Sequence, residues 1–249
     1  FEMIDIPTDN HIRSILDTVE PAYLHEVFKE IVVRLNDAGV IQEFRSLGND
    51  LLVVLDGTQY YRSKKISCEH CLRREHEDGS TSYHHMVLTP AIVTPEKRKA
   101  IALEPEFIGN RDGMEKADSE HKAAKRWIER WGSWLSPHGV TIAGDDLYAH
   151  QPLIEQILDE DMNFLFVCKP KSHKYLYEWL EIQEHEGEMH RKEKTLWTGK
   201  NHHRYRYRYT NHVPLREGDD ALWVNWAEVV VTDDAGRIQY SNAFITNHI

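Results

Sequence analysis

Five consecutive aliphatic residues, Leu51-Leu52-Val53-Val54-Leu55, run without interruption into Asp56-Gly57. A run this short and this apolar is stable only as a strand covered on both faces, so the chain must place other elements above and below a sheet. A second run, Val140-Thr141-Ile142-Ala143-Gly144, ends in Asp145-Asp146, 89 residues after Asp56. If the two strands are neighbours in one sheet, the Asp56 and Asp145 carboxylates converge at its edge, where crevices form. A buried pair of like charges is costly unless a cation sits between them. Carboxylate oxygens are hard ligands that suit Mg²⁺ or Mn²⁺, and two such ions about 3.5–4 Å apart can serve both the attacking and the leaving oxygen of phosphodiester chemistry. An Asp-Gly after a strand is also an ordinary turn, and the pattern alone leaves both readings open. Asp146, next along, should point away by strand alternation.

The remaining elements follow from periodicity and turn chemistry. Asp9 is placed to cap a short helix containing Ile12, Ile15 and Leu16, and Pro21 to open a second in which Leu24, Val27, Phe28, Ile31 and Leu35 form one stripe before Asn36 to Gly39 stop it. Packing against the rest of the chain is the ordinary use of such a hairpin; a DNA-binding or dimerising head is the other. Strands are expected at 64–73 and 82–94, separated by Asp78-Gly79, making an antiparallel meander with the first run. An irregular stretch follows at 95–113. Asp118 then caps a helix whose Ala124, Trp127, Ile128, Trp131 and Leu135 share a face, ended by Pro137-His138-Gly139. A strand at 140–143, a helix at 151–159, a strand at 164–168 and a helix at 173–181 give an alternating half. Strand patterns at 204–209, 222–232 and 237–245 complete a β-rich end. The class is therefore α/β with a mixed sheet. The expected division is a helical segment at 1–47, a core at 48–182 and a β-rich subdomain at 183–249.

Composition removes several classes of function. With 30 Lys and Arg against 41 Asp and Glu, the net charge of −11 is wrong for a protein coated evenly with cations. The charge is uneven, however: from His190 to Arg216, Arg191, Lys192, Lys194, Lys200, Arg204, Arg206, Arg208 and Arg216 are opposed by Glu193 alone. The longest apolar runs are about five residues, far from the roughly 18 of a membrane span, and the first residues read neither as a signal nor as an anchor. Three cysteines, Cys68, Cys71 and Cys168, cannot all pair, which points to a reducing compartment, the cytoplasm. Neither a G-x-S-x-G elbow nor a phosphate-binding G-x-x-x-x-G-K-[ST] loop occurs, which argues against a serine hydrolase or an ATP-driven enzyme.

Two further constellations carry chemistry. Cys68-x-x-Cys71 with His76 and His84 or His85 downstream offers soft ligands at a spacing compatible with tetrahedral Zn²⁺, the candidate set being Cys68, Cys71, His76 and His84. Two reduced cysteines beside a hairpin with solvent-facing histidines is the plain alternative. In His202-His203-Arg204-Tyr205-Arg206-Tyr207-Arg208-Tyr209 a strand would put Arg204, Arg206 and Arg208 on one face and the tyrosines on the other, arranging guanidinium groups for phosphates. Lys64 and Lys65 flank the first acidic strand and are candidates for the same backbone contacts; a solvated charged surface is the ordinary reading of all five.

The segments VVLDGTQYYRSKKISCEHC, YHHMVLTPAIV, LEPEFI, DSEHKAAKRW, VTIAGDDLYAHQPL, FLFVCKPKSHKYLYEWL and NWAEVVVTDDAGRIQYSNAFITNH together resemble bacterial insertion-sequence transposases of the DDE class, over roughly residues 5 to 249. The resemblance implies a ribonuclease H-like catalytic core and DNA transposition: metal-dependent phosphodiester hydrolysis at transposon ends, then strand transfer. It implies that Asp56 is the first metal-binding acid and Asp145 the second, within Asp145-Asp146-Leu147-Tyr148. It implies Mg²⁺ or Mn²⁺ as cofactor, double-stranded DNA and a second copy of the chain as partners, and work at the bacterial nucleoid. In that family a third acid, a Glu, lies on a helix after a β-rich insertion, and the sequence ends at Ile249 within what resembles that insertion, as a truncated transposase would. Neither Glu178 nor Glu228 suits the role. A metal-dependent endonuclease on the same fold, or an inactive remnant that only binds DNA or a partner, are the alternatives.

Overall fold

The computed structural model describes residues 7–95, 97–109, 118–197, 199 and 201–249. They fall into two compact units, one ending at Phe44 and the other running from Arg45 to Ile249.

In the first unit, α1 (Asp9–Leu16) begins where the Thr8 hydroxyl accepts the His11 amide. Thr8 rather than Asp9 is thus the cap, and Asp9 sits in the first turn, where its charge suits the helix dipole. Pro21 opens a single 3-10 turn, and α2 (His25–Asp37) follows. The buried side of α2 is rotated from the expected stripe: Val32 is buried and Phe28 and Leu35 are half-buried, while Leu24, Val27 and Ile31 are exposed.

The second unit holds thirteen strands among the described residues. β1 (Leu51–Val54), β2 (Gly57–Ser63), β3 (Leu72–Glu75), β4 (Thr81–Leu88), β5 (Ala91–Val93), β6 (Ile101–Ala102) and β7 (Glu106–Ile108) come first. After α3 (Glu120–Leu135) come β8 (Val140–Gly144), α4 (Gln151–Asp159), β9 (Asn163–Val167) and α5 (Lys174–Glu186). The chain closes with β10 (His190–Trp197), β11 (His202–Pro214), β12 (Trp223–Thr232) and β13 (Ile238–Thr246). Nine strands form one sheet in the order β10-β11-β12-β13-β9-β8-β1-β5-β6. Within it β1, β8 and β9 run parallel, and all other pairs are antiparallel. Mixed α/β architecture is therefore as expected. The boundary drawn at 182/183 falls within α5, and strands on both sides of it belong to this one sheet, since β13 pairs with β9.

The expected meander is a different object. β1 and β5 pair in the main sheet, Leu52 facing Val93 and Val54 facing Ala91; the same two chain segments then continue as β2 and β4, Gly57 facing Leu88, in a second sheet ordered β2-β4-β3 with β7 on β4. The strand expected at 82–94 is broken at Thr89-Pro90, where proline has no amide to give a ladder. At that break the Thr89 amide and hydroxyl both donate to the Asp56 carbonyl, at 2.8 and 3.0 Å. Most of the strand expected at 64–73 is a loop: Lys64 and Lys65 are exposed, and the Cys71 amide donates to the Cys68 carbonyl at 3.2 Å, closing a turn. In the expected irregular stretch, β6 and β7 are short strands; residues 96 and 110–113 lie outside the described residues, as does Lys200 of the basic window.

α3 packs as its stripe predicts, with Ala124, Trp127, Ile128, Trp131 and Leu135 fully buried. Its cap is Ser119, whose hydroxyl accepts the Lys122 amide at 3.3 Å, and not Asp118. Asp118 is buried and receives Arg126 through both terminal nitrogens, at 3.0 and 2.8 Å, while Arg126 Nε reaches Glu106 at 2.7 Å. The indole nitrogens of Trp127 and Trp131 donate to the Glu104 carbonyl and carboxylate, each at 2.9 Å. These bonds satisfy the polar atoms that burial of the helix would otherwise strand, and they fix where its first turn points. No helix among the described residues is long and apolar enough to cross a membrane.

Candidate functional site

β1 and β8 are immediate parallel neighbours, Val54 opposite Ala143, with the Leu55 amide donating to the Ala143 carbonyl at 2.8 Å. The register carries on to set Asp56 beside Asp145, each just past the carboxyl end of its strand. The backbones of the two acids expected to meet are therefore neighbours across the β1–β8 pair. Their burial differs from expectation: the strands are buried, but Asp56 and Asp145 are exposed, so water screens part of their repulsion. Thr89 grips the Asp56 backbone from the carbonyl side, and Asp145 Oδ1 accepts the Leu147 amide at 2.9 Å. Both carboxylates are thereby positioned by backbone that the sheet holds rigid.

A third carboxylate joins them that the sequence reading did not single out. Glu120, in the first turn of α3, lies directly over Gly57: a Cβ on that glycine would run into the Glu120 carboxyl group. The Tyr148 hydroxyl donates to Glu120 Oε2 at 3.3 Å from a fully buried ring. Burial pushes the Glu120 carboxyl above the usual carboxylate range, and the charges of Asp145 and Asp56 push it the same way, against the Tyr148 bond. Burial likewise raises Tyr148, reinforced by the Glu120 charge, so the phenol stays protonated and remains a donor. Three acids from β1, β8 and α3 thus share one electrostatic patch.

Asp146 points away from this patch, as alternation requires. Its carboxylate accepts the Lys169 amide at 2.6 Å and the Ser172 hydroxyl at 2.5 Å, pinning the connection from β9 to α5. Behind it stand three imidazoles: His173 Nε2 is 3.5 Å from Asp146 Oδ1, and the His150 ring centroid is 6.3 Å from that of His173 and 5.7 Å from that of His121. Burial lowers the basicity of His121 and His173, which favours the neutral rings.

The cysteine cluster forms with a different histidine from those chosen on spacing. Cys68 Sγ and Cys71 Sγ are 3.6 Å apart, too far for a disulfide at about 2.05 Å, and His85 Nε2 is 3.3 Å from the first and 3.2 Å from the second. Burial raises the Cys71 thiol, the Cys68 amide opposing it and the Cys68 thiol adding to it. His84 lies on the other face of β4, where burial and the charges of Arg74 and Arg62 hold it neutral. His76 Nε2 instead pairs with the Ser82 hydroxyl at 2.8 Å.

On β11, Tyr205 and Tyr207 are half-buried and stack on one face, while Arg204 and Arg206 are exposed on the other, as alternation predicts. Arg208 departs from the pattern. It is half-buried, reaching Glu228 at 2.8 Å and Glu184 at 3.6 Å. Tyr209 is exposed and stacks on His190 of β10. Lys64 and Lys65 are exposed in the loop after β2; Lys64 lines a cavity of about 560 Å³ whose other walls include Arg62, Arg74, Glu75 and Glu77.

The chain matches no protein-family model and no curated protein.

Proposed function

We propose that this chain is the catalytic portion of a DNA transposase of the DDE class, cutting phosphodiester bonds with the help of divalent metal held by Asp56 and Asp145. The observation that carries the reading is the placement of these two acids at the carboxyl ends of adjacent parallel strands with the Glu120 carboxyl set over the intervening backbone. A core in which β1 is central, with antiparallel β5 on one side and parallel β8 and β9 on the other, supports a ribonuclease H-like arrangement.

The donor set fits the ion in kind, while the three carboxylates are not all within 4.8 Å of one another and would have to draw together around it. All three groups offer hard oxygens, of the kind Mg²⁺ and Mn²⁺ prefer over soft-ligand metals. Asp56 and Asp145 are exposed, so a hydrated ion can reach them without unfolding anything. Magnesium held there would supply Lewis-acid activation of water and stabilisation of the departing oxygen. The side chains act as ligands rather than nucleophiles, so no covalent link between protein and DNA forms in hydrolysis. Glu120 is assigned to complete the acidic set from within this chain, from a helix ahead of β8 rather than from the place after the insertion where the family carries its third acid: Tyr148 orients it, and a cation relieves the like-charge repulsion that adds to the effect of burial in raising its pKa. The basic ribbon of β10 and β11, with Arg204 and Arg206 outward, supplies a surface for the DNA backbone.

Nicking of supercoiled plasmid in Mg²⁺ tests the reading. Nicking is expected in the parent and lost in Asp56→Asn and in Asp145→Asn, with circular dichroism unchanged. A parent protein that binds DNA but never nicks it, or an Asp145→Asn variant as active as the parent, overturns it.

A further inference from the structure

We propose that Cys68, Cys71 and His85 bind one zinc ion, with the fourth coordination position open to solvent. With Zn–S bonds of about 2.3 Å and Zn–N of about 2.0–2.1 Å, tetrahedral angles place two thiolates about 3.8 Å apart and each about 3.5 Å from the nitrogen. The distances here are 3.6 Å between the sulfurs and 3.3 and 3.2 Å from them to Nε2. Every edge of that face of the tetrahedron is within about 0.3 Å of what zinc requires.

The surroundings support a metal rather than a loose trio of side chains. The Cys68 amide donates to Cys71 Sγ at 3.3 Å, a bond that favours the sulfur as thiolate. The imidazole is fixed by a bulge in β2: the register slips between Gln59 and Tyr61, and the rings of Tyr60 and Tyr61 lie 5.7 and 5.4 Å from that of His85. Rings placed on a ligand in this way orient it before the metal arrives. Among the described residues no other Cys, His, Asp or Glu brings a ligand atom into the cluster. The fourth direction opens on a cavity of about 460 Å³ lined by Tyr60, Tyr61, Ile66 and Ser67, which admits water or a small exogenous ligand.

Binding exchanges two S–H bonds for two Zn–S bonds and releases the two protons to solvent, so affinity falls as pH falls. The ion would clip the loop between β2 and β3 to the middle of β4. Hydrogen bonds to the Ser63 hydroxyl from the Lys65 and Ile66 amides, and from the Tyr61 hydroxyl to the Ile66 carbonyl, hold the start of that loop, but its side chains bury little: Cys68 is exposed and Ile66 is 69% exposed.

The test is metal analysis of the full chain after dialysis against low zinc, followed by cobalt substitution. One zinc per chain is expected, falling to background in Cys68→Ser and in His85→Gln and retained in His76→Ala and His84→Ala. The Co²⁺ form should show a thiolate charge-transfer band and tetrahedral d–d bands that shift when a small thiol is added. Cys68 is exposed, so its serine variant is expected to fold; chelation and readdition on the unmutated protein give the same readout without mutation. A parent without zinc, zinc unaffected by Cys68→Ser and His85→Gln, or zinc lost only in His76→Ala overturns the site. Cobalt bands that ignore added thiol overturn the open position.

Discussion

The Glu120 carboxyl group occupies the space where a side chain at Gly57 would begin. Glycine is required there for room, since what a methyl group meets is a carboxylate rather than backbone strain. Gly57→Ala should therefore fold, because its neighbours in β2 remain paired, but it must move the Glu120 carboxyl from its place over the backbone at Gly57. Displacements of about 1 Å in a catalytic constellation cost up to roughly 100-fold in rate. A Mg²⁺-dependent nicking rate reduced by roughly 10–100-fold, with a melting temperature within a few degrees of the parent, is the expected result; unchanged nicking would show that Glu120 has no part in the chemistry.

Glu120 also sets a pH dependence. Its carboxyl is raised by burial and by Asp145 and Asp56, so the folded state holds the proton more tightly than the unfolded chain does. The stability it contributes is complete below the unfolded value of 4.5 and is lost as pH rises through the folded value. Glu120→Gln, neutral at every pH, should be more stable than the parent at pH 7 and should lose less stability between pH 4 and pH 7. Saturating Mg²⁺ should raise the melting temperature of the parent at pH 7 by more than that of the variant, since ligand bound only to the folded state stabilises it. Thermal melts across that pH range, with and without Mg²⁺, measure both effects.

What the sequence discloses about this site and what it hides have separate physical causes. β1 and β8 are legible because a strand buried on both faces must be continuously apolar, and Asp56 and Asp145 stand at their visible ends. Glu120 is hidden because an acid in the first turn of a helix is the ordinary electrostatic choice there, and nothing in DSEHKAAKRW says which strand end it will face. The choice of His85 over His84 follows from one step of strand alternation, which the bulge at Tyr60 sets and no ligand spacing reveals. β10 leaves no trace in hydrophobic periodicity, since all eight of its residues are exposed at the edge of the sheet. The caps at Thr8 and Ser119, each one residue from the Asp expected, lie within the uncertainty that several adjacent capping residues always leave.

Among the bonds that orient α3, the one from Trp131 to the Glu104 carboxylate gives a stability prediction. Trp131 is fully buried and donates to the Glu104 carboxylate, itself 5% exposed. Trp131→Phe removes the donor while keeping an aromatic ring, so it costs the hydrogen bond and leaves that acceptor less satisfied, about 1–3 kcal/mol. Trp131→Ala adds a cavity and should cost about 3–5 kcal/mol. Urea denaturation should show the two losses in this order at constant m. A Trp131→Phe variant as stable as the parent would mean that the indole nitrogen contributes nothing.

Arg206 and Arg208 separate DNA contact from internal structure on one strand. Arg208 is engaged by Glu228 and Glu184, so its charge is already compensated and its removal takes from Glu228 its ion-pair partner, while Glu184 keeps Arg191. Arg206 is exposed on the same strand, and among the described residues it has no ion pair. A phosphate contact releases counterions in proportion to the charges engaged, so losing one lowers the magnitude of the salt slope by about 1. Arg206→Ala should weaken binding to duplex DNA at low salt and lower the slope by about 1 while leaving the urea midpoint unchanged. Arg208→Ala should shift the urea midpoint downward, because Glu228 and Glu184 lose their common partner, and should change the slope less. Fluorescence anisotropy across a salt series, beside urea denaturation of each variant, distinguishes the two roles; an Arg206→Ala slope equal to the parent's would remove β11 from the DNA surface.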